Sequence, residues 1–433
     1  MTTSHTSRPQ SPAPAGPADL GLTANLGLTA NLGLTANLGL TAEAAAIAEE
    51  TVQLRRRLHA RPEIGLDLPD TQALVVETLE GLDLKARVGE KCSSVESVID
   101  GEREGPTVLL RADMDALEMP EDTGLDFAST VAGRMHACGH DAHTAMLLGA
   151  AKLLSNRRKD LAGRVVLMFQ PGEEGHDGAK AMIDDGLLER YGTFDEAFAI
   201  HISSVLPSGM LTCRPGTIMA SADEFRVVVT GKGGHASMPH DAVDPVVAAC
   251  HVVTAIQSMV TRRIPAFDPA VVTVATIHAG TASNVIPEQV TLGGTVRAVS
   301  DRTRDLALES LGQVISSTAA AHGCQASLEI DGHSYPVTVN DASYADHTLD
   351  IARMLVGKDR VMEMPTPVMG AEDWSHVLRR VRGSMAFLGA SPPGIRQPAP
   401  NHSNRFVIDE AALPVGVAMY AAMALAASAV RAA

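Results

Sequence analysis

The chain has 433 residues, 45% of them hydrophobic, and its 35 basic and 51 acidic side chains give a formal net charge of −16. This length predicts two or three domains with a buried core and excludes a chain that is disordered throughout. The negative charge repels phosphate backbones, and 8 Phe, 4 Tyr and 1 Trp are too few to form a base-stacking surface. Composition therefore argues against nucleic acid as a partner.

The five cysteines are widely spaced along the chain, at Cys92, Cys138, Cys213, Cys250 and Cys324. Their odd number and spacing argue against a disulfide framework and indicate a reducing compartment. Residues 1–19 are rich in Pro, Ser and Ala, and they lack the basic start and apolar region of a secretory signal. We therefore expect a cytoplasmic protein.

A repeat occupies residues 20–42, where the sequence LGLTA occurs four times with a six-residue period. Four short units that each contain Gly cannot stack a solenoid core, so residues 1–42 are predicted to be a disordered, low-complexity leader. A weakly helical arm that binds a partner is the alternative. From Ala42 to Arg61 apolar residues recur at helical spacing, so we expect the folded part to begin here.

Three apolar runs at 107–115, 163–171 and 196–202 become polar at their C-terminal ends, and helical patterns separate them. This alternation predicts an α/β fold, in which a mainly parallel sheet is flanked by helices and ligands gather at its carboxyl edge.

A second pattern of four strands and two helices follows from about Ala220, and the α/β pattern returns after about His333. We therefore expect an inserted α+β domain with a four-stranded sheet at residues 219–331. The catalytic domain would then consist of residues 43–218 and 332–433.

The segment 411–430 has 20 residues without a charge, which is long enough to span a bilayer. It is mostly Ala, and Pro414 lies near its start. This composition is typical of a buried helix in a globular core, so we expect no membrane association.

The densest group of candidate metal ligands begins at Cys138 and His140 and continues with the pair Glu173–Glu174 and with His201. Each falls at a predicted strand end or in the loop after it. Thiolate, imidazole and carboxylate together suit zinc, manganese, cobalt or nickel better than calcium or magnesium. Singly, each residue also fits a structural role, as a buried Cys, a capping His or a solvent-exposed Glu.

Nine motifs in order resemble those of the aminoacylase and carboxypeptidase-like dinuclear metallohydrolases: RADMDALE, HACGHDAH, QPGEEG, AIH, GKGGHASMPH, TASNVIP, GTVRAVS, MGAEDWS and NHSNRF. The subgroup they resemble contains hippurate hydrolases, indoleacetyl-amino-acid hydrolases and other N-acyl-amino-acid amidohydrolases. The resemblance covers about residues 45–430. It implies two divalent metal ions per subunit and a homodimer formed through the inserted domain, which would serve as a lid.

The resemblance also implies roles for individual residues of the catalytic domain. The implied metal ligands are Cys138, His140, Glu174, His201 and His402, and the implied general base and acid is Glu173. Asp113 and Asp115 match an Asp-x-Asp motif, and Asp113 is implied to support the metals and the base.

In the inserted domain, His235 resembles a histidine that relatives bring to the substrate oxygen from the neighbouring protomer. Asn284 and Arg297 resemble residues that hold the substrate's carboxylate, for which an Arg fork is well suited. Glu372 and Asp373 resemble acidic residues near the metals, and we assign them a supporting role only.

The chain departs from the pattern of its relatives at two places. Relatives often carry proline at the position of Glu118 and Leu-His-x-Pro at the position of Asn401–Asn404. His402 is therefore the least secure of the ligands. His136 and His143 have no ligand counterpart, and we expect them to cap a helix or to support the ligands.

The function implied by the resemblance is metal-dependent hydrolysis of the amide bond of N-acyl amino acids, with the acyl group left open. A dipeptidase or carboxypeptidase of the same family is one alternative. A second is nucleophilic catalysis by Cys138 with His140 as its base, which would leave Glu174 and His201 without a role. A non-catalytic, metal-binding dimer scaffold is the third.

Overall fold

The computed structural model describes residues 39–430, with side chains described as far as residue 427. Most of the expected leader, and three repeat units, therefore lie outside the described residues. The end of the fourth unit is described: a helix begins at Leu40, and the Leu40 side chain is fully buried. The expected boundary at residue 42 is thus too late: Leu40 packs in the core against the C-terminal helix.

Sixteen strands occur in the described part of the chain. In chain order they are β1 (Ala86–Val88), β2 (Val95–Asp100), β3 (Arg103–Asp113), β4 (Ala162–Gln170), β5 (Glu196–Ser203), β6 (Leu211–Cys213), β7 (Gly216–Met219), β8 (Asp223–Thr230), β9 (Gly234–His235), β10 (Ala270–Ala279), β11 (Val285–Ile286), β12 (Gln289–Ala298), β13 (Gln325–Ile330), β14 (Thr338–Asn340), β15 (Val361–Glu363) and β16 (Gly383–Gly389).

Eleven α-helices accompany these strands within residues 39–430. They are α1 (Leu40–Ala46), α2 (Ala48–His59), α3 (Pro69–Glu80), α4 (His140–Asn156), α5 (Gly178–Asp184), α6 (Leu187–Arg190), α7 (Pro245–Arg263), α8 (Asp301–Ala321), α9 (Ala342–Val356), α10 (Ser375–Leu378) and α11 (Leu413–Val430).

The large sheet has eight strands in the order β1-β2-β4-β3-β5-β16-β6-β15. Its four central strands, β4, β3, β5 and β16, are parallel, and antiparallel pairs lie towards both edges. Along β3, Val108 and Leu110 pack on one face and Leu109 on the other, because helices cover both faces. The predicted α/β fold with a mainly parallel sheet is confirmed.

A separate antiparallel sheet has the order β10-β12-β8-β13, and helices α7 and α8 cover one of its faces. The chain passes between the two sheets at Ala222 and Tyr335, whose backbone N–H and C=O groups pair reciprocally at 2.9 Å. We propose that these adjacent crossings bound the inserted domain expected at residues 219–331. We refer to the four-stranded sheet as the lid sheet.

The C-terminal helix is the apolar element expected from the sequence. The window Glu410–Ala427, which includes most of this helix and the turn before it, is long and apolar enough to cross a membrane, but 78% of it is buried inside the protein. Helix α11 packs against α4, α1 and strands of the large sheet. It therefore has the surroundings of a core helix.

Candidate metal centre

Polar residues from several segments meet at one edge of the large sheet. Asp113 is the last residue of β3, the pair Glu173–Glu174 follows β4, and His201 lies near the end of β5. These strands are parallel neighbours, so their carboxyl ends lie side by side. Helix α4 begins at His140 at the same edge, directly after the segment that carries Cys138.

Gly139 is the only residue between Cys138 and His140. Its φ of +93° lies in the left-handed region that glycine adopts without strain. A Cβ at this position would lie 2.3 Å from Cγ2 of Ile202. The absence of a side chain therefore lets this segment approach β5 closely and brings Cys138 and His140 next to His201.

The structure brings all five predicted ligands together. Ligand atoms of Cys138, His140 and His201 lie within 4.8 Å of one another, and the same holds for Cys138, Glu174 and His402. The Cys138 Sγ lies 3.4 Å from Nε2 of His201, and His402 Nε2 lies 3.1 Å from Oε1 of Glu174. Cys138 belongs to both groups and so lies between two candidate metal positions.

The residues present fit a transition-metal ion. Both ring nitrogens of His140 are buried and have no hydrogen-bond partner among residues 39–430, although buried polar atoms are usually paired. Carboxylates, a thiol and other imidazoles converge on this ring. A set of mixed N, O and S donors of this kind suits ions such as zinc, manganese, cobalt or nickel.

Hydrogen bonds determine which ring nitrogens face the centre. His201 Nδ1 lies 2.8 Å from the Ile202 carbonyl and donates to it, so Nε2 is left facing Cys138. His143 Nε2 accepts from the Ile202 N–H at 2.7 Å, so its proton is on Nδ1, which donates to Asp113 Oδ1 at 2.5 Å. His143 thus connects Asp113 to β5 beside the ligand groups.

Asp113 is fully buried next to Arg111, whose Nη1 lies 2.8 Å from Asp113 Oδ2. Burial raises the pKa of Asp113. The charges and hydrogen bond of Arg111, His140 and His143 lower it by more, so the net pKa is well below the usual range. The carboxylate therefore stays charged. Its Oδ2 lies 3.6 Å from Nε2 of His140, which places a fixed negative charge beside the ligand group.

Asp115 fixes the backbone of the Glu173–Glu174 pair. Its two carboxylate oxygens accept the N–H groups of Glu173 and Glu174 at 2.9 and 3.0 Å. The Tyr335 hydroxyl donates to the Glu173 carbonyl at 2.5 Å. With the backbone held from both sides, one side chain is free to ligate and the other to transfer protons.

Glu173 lies in a buried acidic environment. Burial raises its pKa well above the ordinary value, and the nearby carboxylates of Glu372, Glu174 and Asp373 raise it further. Arg111 Nη2 holds Glu372 at 2.8 Å and Asp373 at 3.1 Å, so these acids stay in place behind Glu173. A carboxylate with a raised pKa is suited to accept and return a proton near neutral pH.

The segment that carries His402 is fixed by its neighbour Asn401. Asn401 Nδ2 donates to the carbonyls of Cys138 and Ile202 at 2.9 and 3.1 Å, and its Oδ1 accepts the Ser204 N–H at 3.4 Å. His402 itself has a left-handed backbone, with φ of +69°. Hydrogen bonds to Cys138 and Glu174 raise its pKa to about 10.

A cleft of about 700 Å³ opens above these ligands and is bounded on its other side by the lid sheet. Arg297 of β12 lines this cleft together with Glu173, Cys138 and His402. No ion-pair partner for the Arg297 guanidinium is present among the described residues. Of the three predicted substrate-binding residues, Arg297 is therefore the one that the fold of a single chain brings to the site.

The other two residues lie elsewhere, on the small two-stranded ribbon of β9 and β11. His235 is in β9, and Asn284 directly precedes β11. The Ala236 N–H donates to the Asn284 carbonyl at 3.1 Å, and His235 pairs with Val285. His235 is exposed, and its Nδ1 accepts the Ser237 N–H at 3.1 Å. The accepting Nδ1 leaves the ring proton on Nε2, and His235 is not among the residues that line the cleft of its own chain.

Sequence reasoning missed three residues that organise the site, namely Arg111, Asn401 and Tyr335. Arg111 and Asn401 stood inside motifs that were noticed for other residues, and Tyr335 carried no sequence signal. Neither ring nitrogen of His136 has a hydrogen-bond partner in the part of the chain that the structure describes, and burial lowers the pKa of His136 to about 4. It lies outside the ligand groups of the described residues and packs near the His59 ring.

Comparisons with known proteins agree with this arrangement. The chain is 38% identical to thermostable carboxypeptidase 1 of Saccharolobus solfataricus, over 88% of this chain and 95% of that protein. It is 40% identical to the IAA-amino acid hydrolase ILR1-like 2 of Arabidopsis thaliana, over 86% and 84%. It is 35% identical to the N-acetylcysteine deacetylase of Bacillus subtilis, over 86% and 96%.

Among solved structures, the YXEP protein of Bacillus subtilis, described as a dinuclear metal binding peptidase of the M20 family, matches with a TM-score of 0.76. It is 31% identical, and the match covers 88% of this chain and 98% of that one. The sequence profile of peptidase family M20/M25/M40 matches residues 109–426. The chain therefore belongs to peptidase family M20/M25/M40 and is a metallohydrolase of amide or peptide bonds.

Proposed function

We propose that this enzyme hydrolyses the amide bond of N-acyl amino acids. The observation that carries the proposal is the cleft, which the unpaired Arg297 lines together with Glu173 and the ligand groups. A guanidinium binds a carboxylate through two parallel hydrogen bonds. An N-acyl amino acid held in this way by its α-carboxylate extends its amide bond towards Glu173. The names of the plant and Bacillus relatives describe substrates of this class.

The proposed ligands of two divalent ions are Cys138, His140, Glu174, His201 and His402. When bound, such ions polarise the amide carbonyl and lower the pKa of water. Glu173 takes a proton from the attacking water through its carboxylate and returns that proton to the departing amine. Asp115 and Tyr335 hold the Glu173 backbone during this exchange, and Asp113 keeps a negative charge beside His140.

We propose that His235 serves the cleft of a second copy of the chain in a homodimer. The Nε2–H of this exposed side chain can donate to the developing oxyanion there. Asn284 directly precedes β11, the strand that pairs with His235, so it would enter the same neighbouring cleft and reach the carboxylate end of that substrate. The centre would then be complete only in the dimer.

A second candidate function, carboxypeptidase activity, is favoured by the named activity of the Saccharolobus relative. It uses the same cleft, because a peptide also ends in an α-carboxylate.

Nucleophilic catalysis by Cys138 is not favoured, since burial raises the pKa of its thiol and nearby Glu174 raises it further. An attacking cysteine needs a lowered pKa.

We also propose a cytoplasmic location, which the five free cysteines support because disulfides are rare in that compartment.

The test is a substrate panel with metal-depleted and metal-restored enzyme. We expect N-acyl amino acids to be hydrolysed only after zinc, manganese, cobalt or nickel is restored, and their amides, which lack the free carboxylate, to be poor substrates. Elemental analysis of the purified protein would identify the native metal. Hydrolysis that persists after complete chelation, or equal rates on the carboxylates and their amides, would contradict the proposal.

A further inference from the structure

The lid sheet carries a second unpaired charge in the cleft. Glu224 of β8 lines the same cleft as Arg297, and no ion-pair partner for Glu224 is present among the described residues. Two histidines that also line the cleft are paired with acids: His333 Nδ1 lies 3.1 Å from Asp177 Oδ2, and His402 Nε2 lies 3.1 Å from Glu174 Oε1. Two free charges of opposite sign thus share one wall of the cleft.

Strand register makes the two charges diagonal neighbours on the lid sheet, and no ion pair joins them among the described residues. Glu224 is directly opposite Thr295, and Arg297 follows Thr295 by two residues on the same face of β12. Such diagonal neighbours lie roughly 7–8 Å apart in an antiparallel ladder. Asp223 points to the opposite face, where it pairs with Arg304 at 2.6 Å. The Glu224 carboxylate is therefore available to a ligand.

We propose that Glu224 and Arg297 form one subsite for a substrate that carries a cationic group in addition to its carboxylate. The inference rests on the proposed function, in which Arg297 holds the α-carboxylate. Glu224 then binds an ammonium or guanidinium group a short distance away. The side chain of a lysine, ornithine or arginine on the departing side spans this separation, and so does the free amino end of a dipeptide.

Three substrates that differ by one ammonium group test the subsite. N-acetyl-norleucine is neutral apart from its carboxylate, N-acetyl-lysine adds an ammonium on the side chain, and glycyl-norleucine adds one on the acyl side. We expect one of the two cationic substrates to exceed N-acetyl-norleucine in kcat/KM by about tenfold, as one charge-assisted hydrogen bond contributes. The substrate that gains identifies the source of the cation. The ratio should fall at high salt.

Variants at one position separate this subsite from a general effect of lid charge. Glu224→Gln should bring the ratio to about one, and Glu224→Lys should bring it below one, because the lysine repels the cation. The control is Glu329→Gln, an exposed acid of β13 in the same sheet that does not line the cleft. This control should keep the wild-type ratio.

Two results would overturn the inference: no preference for either cationic substrate in the wild-type enzyme, or a preference that survives Glu224→Gln. A metal-loaded enzyme that hydrolyses none of the three substrates would instead contradict the proposed function, and the subsite with it. Hydrolysis of N-acetyl-norleucine without any effect of charge would leave the proposed function standing and remove the subsite alone.

Discussion

The Asn401 side chain joins three segments that carry candidate ligands. It lies next to His402, donates to the carbonyl of Cys138, and donates to the carbonyl of Ile202, the residue after His201. In the sequence, Asn401 is only a departure from the Leu-His-x-Pro pattern that made His402 the least secure ligand. Its hydrogen bonds show what Asn401 does at this position: the amide holds the ligand-bearing loops together, which a leucine could not do.

Replacing Asn401 by Ala should weaken metal binding by about 10–100-fold, as is typical when groups that orient ligands are removed. Competition with a chromophoric chelator measures this directly, independently of turnover. The matched control is Asn404→Ala, an exposed residue of the same segment. Equal metal affinity of the Asn401 variant and the control would contradict this role.

At the scale of elements, a buried network joins helix α2 to helix α4. His59 Nδ1 lies 2.8 Å from Asp141 Oδ2, and Arg55 Nε donates to the same oxygen at 2.7 Å. His59 Nε2 lies 3.2 Å from Oε1 of Glu121, in the loop between β3 and α4. This network holds the start of α4, where His140 lies, against the rest of the domain.

The network predicts a loss of stability in acid. Burial raises the pKa of Glu121, but hydrogen bonds from His59, Thr123 and the Ser129 N–H lower it to about 2. Because the folded pKa lies below the unfolded value of about 4.3, this contribution is present above pH 4.3 and is lost as pH falls towards 2. Denaturant unfolding between pH 6 and 3 should show a shallower decline for Glu121→Gln than for wild type. Identical slopes would exclude a contribution from Glu121.

The sequence predicts the elements near the site well and their ends less well. The apolar runs at 107–115 and 163–171 became β3 and β4, because strands buried on both faces are recognisable from composition alone. The ligand segments also follow from motifs. The start of α1 at Leu40 could not be predicted, since its burial depends on a contact with α11 that is distant in sequence. The same holds for Arg111 and Tyr335, whose partners lie far along the chain.

At the scale of the whole molecule, the site residues divide into those that one chain assembles and those that it does not. Arg297 lines the cleft of its own chain, whereas His235 is exposed and lies on the β9–β11 ribbon. This division is the structural reason for proposing a homodimer in which each ribbon serves the neighbouring cleft. Under this proposal, the oxyanion donor of each site comes from the second chain.

Mixed dimers test this division. Glu173→Gln and His235→Ala should each be inactive alone, because one lacks the proton carrier and the other the oxyanion donor. In a mixed dimer, the site of the His235→Ala chain has an intact Glu173 and receives His235 from its partner. Random exchange should restore about a quarter of wild-type activity, since half of the dimers are mixed and one of their two sites is complete. No recovery after demonstrated subunit exchange would contradict the dimer.

The most direct test of the central claim, that Glu173 transfers the proton in a two-metal amide hydrolysis, is to measure metal content and turnover together in Glu173→Gln. We predict two ions per chain, as in the wild type, with kcat on an N-acyl amino acid reduced at least about a hundredfold. Glu174→Gln should instead lose bound metal. Near-normal turnover by the fully metallated Glu173→Gln enzyme would contradict the account.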